Sequence, residues 1–85
     1  MSSKILIVGA EKPVEALRIA AGLTLADVDL KVLSLGPLPA GEDAQSQLEA
    51  LEFADIAPQA LQPADPACWT ALARAIVDSD AVYLL

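Results

Sequence analysis

The sequence holds one cysteine, Cys68, and no histidine. A lone thiol cannot close an internal disulfide. Without histidine, neither a Cys/His metal cluster nor a Ser-His or Cys-His nucleophile can be built from this chain. What remains is chemistry that one sulfur can do. As a thiolate, Cys68 could attack sulfur or carry a persulfide. Its setting bears on this. Asp65-Pro66 reads as an N-cap acceptor followed by proline at the first helical position. Cys68 then falls in the first turn of a helix, where backbone N–H groups and the helix dipole favour a thiolate. Asp65, just upstream, opposes it. The competing reading is a small buried hydrophobe, a common state of free cysteine. The residues alone leave both open.

A second set of residues is placed to touch a ligand. Gly9 closes the apolar run Lys4-Ile5-Leu6-Ile7-Val8, Glu11 and Lys12 follow it, and Gly36 closes Val32-Leu33-Ser34-Leu35. In an open parallel sheet, ligands gather at the carboxyl ends of the strands. Residues 9–12, 36–39 and 58–68 all reach that edge. The first loop has one glycine where a dinucleotide fingerprint needs three, and it is not a Walker loop. Glu11 and Lys12 therefore read either as groups that orient a small ligand or as solvated loop charges. No cofactor and no metal is expected.

The elements that must position these residues follow from periodicity. A continuous apolar run such as residues 4–8 marks a strand covered on both faces. Pro13 suits a helix start, and Val14, Leu17, Ile19 and Leu25 extend helical spacing to about Asp27, with Gly22 inside. Residues 29–35 read as a second strand, ended by Gly36-Pro37. Glu42 and Asp43 favour a helix start, and Ala44, Leu48 and Leu51 give about three turns. Residues 53–57 are expected to form a short third strand, with an extended loop from Pro58 to Pro66. The third helix carries Trp69, Leu72, Ala73 and Ile76 at helical spacing, a stripe read as core. Residues 81–85 form the last strand. The order βαβαβαβ implies right-handed crossovers, hence an α/β fold: one three-layer domain with a parallel four-stranded sheet.

Composition bounds the partners. A domain of 85 residues buries only about 60–65% of its unfolded surface, yet 55% of the residues are apolar. Some of that surface is expected to lie between subunits, as a homo-oligomer or with homologous partners. Twelve acidic residues against five basic ones give a net charge of −7. That disfavours nucleic acid and anionic membrane surfaces, both of which need clustered Lys and Arg. The opening Met1-Ser2-Ser3-Lys4 lacks the pattern of a signal peptide, and the unpaired cysteine fits a reducing compartment. A cytoplasmic protein is expected.

Several stretches carry a resemblance. Glu15-Ala16-Leu17-Arg18-Ile19-Ala20-Ala21-Gly22-Leu23-Thr24-Leu25, followed by Val32-Leu33-Ser34-Leu35-Gly36, resembles the first helix and second strand of the DsrE family of small sulfur-relay proteins. Leu72-Ala73-Arg74-Ala75-Ile76-Val77-Asp78-Ser79-Asp80-Ala81-Val82-Tyr83 resembles that family's last helix and strand. The resemblance implies small α/β subunits assembled into trimers or hexamers. Some pass sulfane sulfur through one cysteine near a strand's carboxyl end; others lack it. The family's Arg-Gly-containing stretch does not follow Cys68 here, and the middle of the chain is abridged. The implied function is persulfide carriage on Cys68 within an oligomeric relay, with sulfur donor and acceptor proteins as partners. The alternatives are a non-catalytic interaction subunit of such an assembly and a small-ligand or nucleotide-binding module. Val32-Leu33-Ser34-Leu35-Gly36-Pro37 also resembles electron-transfer flavoprotein subunits, which are much longer and carry cofactor-binding parts that this sequence lacks.

Overall fold

A computed structural model describes residues 3–85; Met1 and Ser2, read above as part of a leaderless start, lie outside them. The chain alternates strand and helix throughout: β1 Ser3–Gly9, α1 Pro13–Leu23, β2 Val28–Leu35, α2 Glu42–Phe53, β3 Gln59–Leu61, α3 Pro66–Val77 and β4 Ala81–Leu84. The four strands form one parallel sheet in the order β3-β2-β1-β4. This is the α/β architecture expected from the continuous apolar runs.

Burial explains the arrangement. Leu6, Ile7 and Val8 are at most 1% exposed, because β1 has strands on both sides and helices over both faces. Each such side chain contributes about 1.5–3 kcal/mol by leaving water. On one face, Ile7 and Val32 meet Ala16, Leu17 and Ala20 of α1 and Ala44 and Leu51 of α2. On the other, Leu6, Val8 and Leu33 meet Ala75, with Leu72 against them. Two helices cover the first face and α3 alone covers the second.

Gly9 shows how closely α1 approaches. A Cβ there would lie 3.0 Å from the Pro13 Cα and 3.1 Å from the Ala16 Cβ. Gly22, by contrast, has nothing within 4 Å of such a Cβ, so no close helix–sheet contact requires it.

Four expectations need correction. First, α1 ends at Leu23 rather than near Asp27. The residues after it form tight turns, with N–H bonds from Thr24 to Ala21 and from Ala26 to Leu23, and the Thr24 hydroxyl donates to the Ala21 carbonyl at 2.6 Å. Leu25 is left 93% exposed.

Second, residues 53–57 are not a strand. The helix α2 runs on past the buried Leu51 to Phe53. The helix then closes with Asp55 in the left-handed region, φ 63°. The Asp55 N–H bonds Glu52 and the Ile56 N–H bonds Leu51, a Schellman closure whose apolar partners, Leu51 and Ile56, share one cluster.

Third, the strand lies later, in what was read as an extended loop. Gln59–Leu61 pairs with Leu33, Ser34 and Leu35 of β2.

Fourth, of the Trp69, Leu72, Ala73, Ile76 stripe only Leu72 packs against the core. Cys68 and Ala75 are buried, whereas Trp69 and Ile76 are 52% and 44% exposed. The buried line is rotated by about one residue, roughly 100° around the helix.

Candidate functional site

The carboxyl edge of the sheet carries every residue singled out in the sequence, and three kinds of local structure hold them there. The loop after β1 turns sharply into α1, and Pro13 takes the first helical turn. The N–H groups of Ala10, Glu11 and Lys12 all point at one acceptor, a main-chain oxygen of Leu85, at 2.6, 2.9 and 3.1 Å. Leu85 itself donates to the Val8 carbonyl at 2.9 Å. The donors that a nucleotide-binding loop would offer to phosphate are thus engaged by the end of the neighbouring strand. The Glu11 and Lys12 side chains are exposed. Gly9 is buried beneath them and acts as the contact point for α1.

After β2, Gly36 has φ +112°, a conformation that favours glycine. Its N–H bonds the Leu61 carbonyl at 2.8 Å, which ties the ends of β2 and β3 together. The buried Ser34 hydroxyl donates toward the Gly36 and Pro37 carbonyls at 3.3 and 3.4 Å. Gly36 therefore shapes the turn. It does not meet Gly9, Glu11 or Lys12 through any bond described here.

The third segment brings Cys68. Asp65 caps α3, its carboxylate accepting from the Ala67 N–H at 3.0 Å, and the Cys68 N–H bonds the Asp65 carbonyl at 2.9 Å. Cys68 sits in the first turn as expected, but its side chain turns inward and is only 4% exposed. The thiol stands in the first turn of α3, and its facing is that of a core residue.

What the sequence reading missed is an apolar surface. On α3, the flank formed by Ala67, Thr70, Ala71, Arg74 and Asp78 borders a cavity of about 480 Å³ with Lys31 of β2. Trp69 and Ile76 occupy the opposite flank of the helix, away from Lys31 of β2. On β4, Val82, Tyr83 and Leu84 are 39%, 46% and 69% exposed. A groove of about 390 Å³ runs between that strand and α1, lined by Ile19 and Leu23 together with residues 82–85. The signal was present in the apolar count, but its location depends on how α3 rotates.

No family model, curated protein or solved structure matches this chain. The reading of function therefore rests on the geometry and on the resemblance stated above. Among the described residues, no helix is long and apolar enough to cross a membrane.

Proposed function

We propose that this chain is a non-catalytic assembly subunit, of the kind found beside sulfur carriers in DsrE-like relays, and that its work is to bind another protein chain. The observation that carries this is a reversal of the usual placement. The one nucleophilic thiol is buried at 4% exposure, while Trp69, on the next residue, stands 52% exposed. Chemistry points inward and apolar contact surface points outward. The occupied donors of residues 10–12 argue in the same direction, against a nucleotide site on that loop.

Persulfide carriage on Cys68 is the second reading, favoured by its place in the first turn of α3 at the sheet's carboxyl edge. It requires that turn to open. In the relay step, the Cys68 thiolate would attack the outer sulfur of a donor persulfide, and the donor's inner sulfur would leave as a thiolate. One experiment separates the two. The folded protein is incubated with a small-molecule persulfide donor and weighed by intact mass spectrometry, with iodoacetamide alkylation run alongside. The assembly reading expects no added sulfur and alkylation at least ~100-fold slower than in denaturant, because reaction waits on local opening. A gain of one sulfur atom, abolished in Cys68→Ser, overturns it and makes Cys68 the carrier. The cytoplasm is the compartment proposed on either reading.

A further inference from the structure

We propose that β4 is a pairing edge for a second copy of this chain, so that two sheets join antiparallel about a two-fold axis at Tyr83. The proposal rests on the assembly reading and gives that reading its partner.

The two edges of the sheet differ. The β3 edge is three residues long and lies between Pro58 and Pro63, features that discourage strand addition. The β4 edge has no such guard. Residues 81–85 read Ala-Val-Tyr-Leu-Leu, with no charged side chain and no proline, and β4 is bonded on one side only, to β1. The Leu85 N–H points to the Val8 carbonyl. Strand alternation then directs the N–H and C=O groups of Val82 and Leu84 away from β1, to the open edge. In a pairing centred on Tyr83, Val82 of one copy exchanges both bonds with Leu84 of the other. The two tyrosines then face each other at the close, non-hydrogen-bonded position, where aromatic cross-strand pairs stabilise a sheet.

The side chains on both faces fit the same axis. Register places Val82 beside Leu6 and Leu84 beside Val8, on the face that α3 covers alone. Two-fold pairing brings the Trp69 and Ile76 flank of each α3 toward the other over these residues. Tyr83 is aligned with Ile7 and lies on the opposite face, beside the groove bounded by Ile19 of α1.

The area suffices. Half-exposed Trp69 and Tyr83 show on the order of 100 Å² each, and the partly exposed Ile19, Ile76, Val82 and Leu84 bring the apolar total to roughly 450 Å². At the usual apolar share of an interface, about 60%, this corresponds to roughly 750 Å² per partner, close to the ~800 Å² that stable complexes bury.

Charge selects the partner. The chain carries −7 overall, yet no side chain of residues 81–85 is charged, so a basic partner finds no side-chain carboxylate on this strand. A second copy meets its own strand of uncharged side chains there, and the two Asp80 residues fall at opposite ends of the pairing.

Analytical ultracentrifugation of the full chain from ~1 to ~100 µM tests this. The expected species has twice the 8.8 kDa chain mass. Val82→Pro removes an outward N–H without touching the bonds to β1, and Leu84→Glu puts like charges across the axis. Each is expected to raise the dimer dissociation constant at least ~tenfold while far-ultraviolet circular dichroism stays native. Phe53→Glu, at a 96% exposed position on α2, leaves it unchanged. Tyr83→Cys in a Cys68→Ser background is expected to cross-link on diamide oxidation, and Phe53→Cys in that background is not. A wild-type monomer throughout the range overturns the proposal. So does a dimer that both edge variants leave intact, or one that Phe53→Glu disrupts equally. None of these outcomes bears on the persulfide mass measurement, so the assembly reading fails or survives separately.

Discussion

At the scale of single residues, glycine and cysteine each take a role that differs from the one their type suggests. Gly9 stands where phosphate-binding loops keep a glycine, yet what it admits is the start of α1. An added methyl would meet the Pro13 backbone at 3.0 Å and Ala16 at 3.1 Å, and backbone gives way only by shifting the helix. Gly9→Ala is expected to cost about 1–3 kcal/mol, the range for overpacking a tight site, measured as a lower midpoint in urea with an unchanged slope. An unchanged midpoint would show that α1 can retreat freely. Cys68 illustrates the limit of position as an argument. The helix start at Asp65-Pro66 was legible in the sequence, and so was the first-turn placement of the thiol. Its inward facing was not, because a shift of one residue in the buried line turns a helix by about 100° and exchanges the buried and exposed sides.

At the scale of elements, the apolar runs decided more than the breakers. β1 was legible because a strand covered on both faces is written as a continuous hydrophobic stretch, and β2 and β4 were legible from their apolar content, although β4 stays largely exposed. β3 was not, since Gln59–Leu61 is too short to show a pattern and is held mainly by its register on Leu33, Ser34 and Leu35. The extent of α2 was legible to within a turn, but its closure was misread as a strand over residues 53–57. That closure uses Asp55 at φ 63°, where glycine is the usual signal. That substitution has a price in backbone strain. Asp55→Gly is expected to stabilise the protein by about 0.5–1 kcal/mol, the relief of a left-handed side-chain clash less the added freedom of the unfolded chain. Thermal unfolding checks it, and a lower transition temperature would place the value of Asp55 in its carboxylate.

At the scale of the whole molecule, the apolar composition of a small domain has found a location. Two helices cover one face of the sheet and one covers the other, and part of the exposed apolar surface lies on β4, with more at Leu25, Phe53 and Val77. A chain that uses the β4 surface to associate gains stability from mass action, because only the folded form offers the edge. The unfolding temperature is therefore expected to rise with protein concentration between ~1 and ~100 µM, and to lose that dependence in Leu84→Glu. A concentration-independent transition in both proteins would mean that the edge adds nothing to folding.

The Leu85 main-chain oxygen, which gathers the N–H groups of residues 10–12, turns an exposed loop into a gauge of strand attachment. Amide protons in such a loop ordinarily trade with solvent deuterium almost as fast as in an unfolded peptide. Here those of Ala10, Glu11 and Lys12 are released only when the end of β4 lifts away, and so is that of Leu85. The four sites are expected to label together, with one common opening rate, although the Glu11 and Lys12 side chains stand in water. Independent labelling of the loop would show that the clasp opens without the strand.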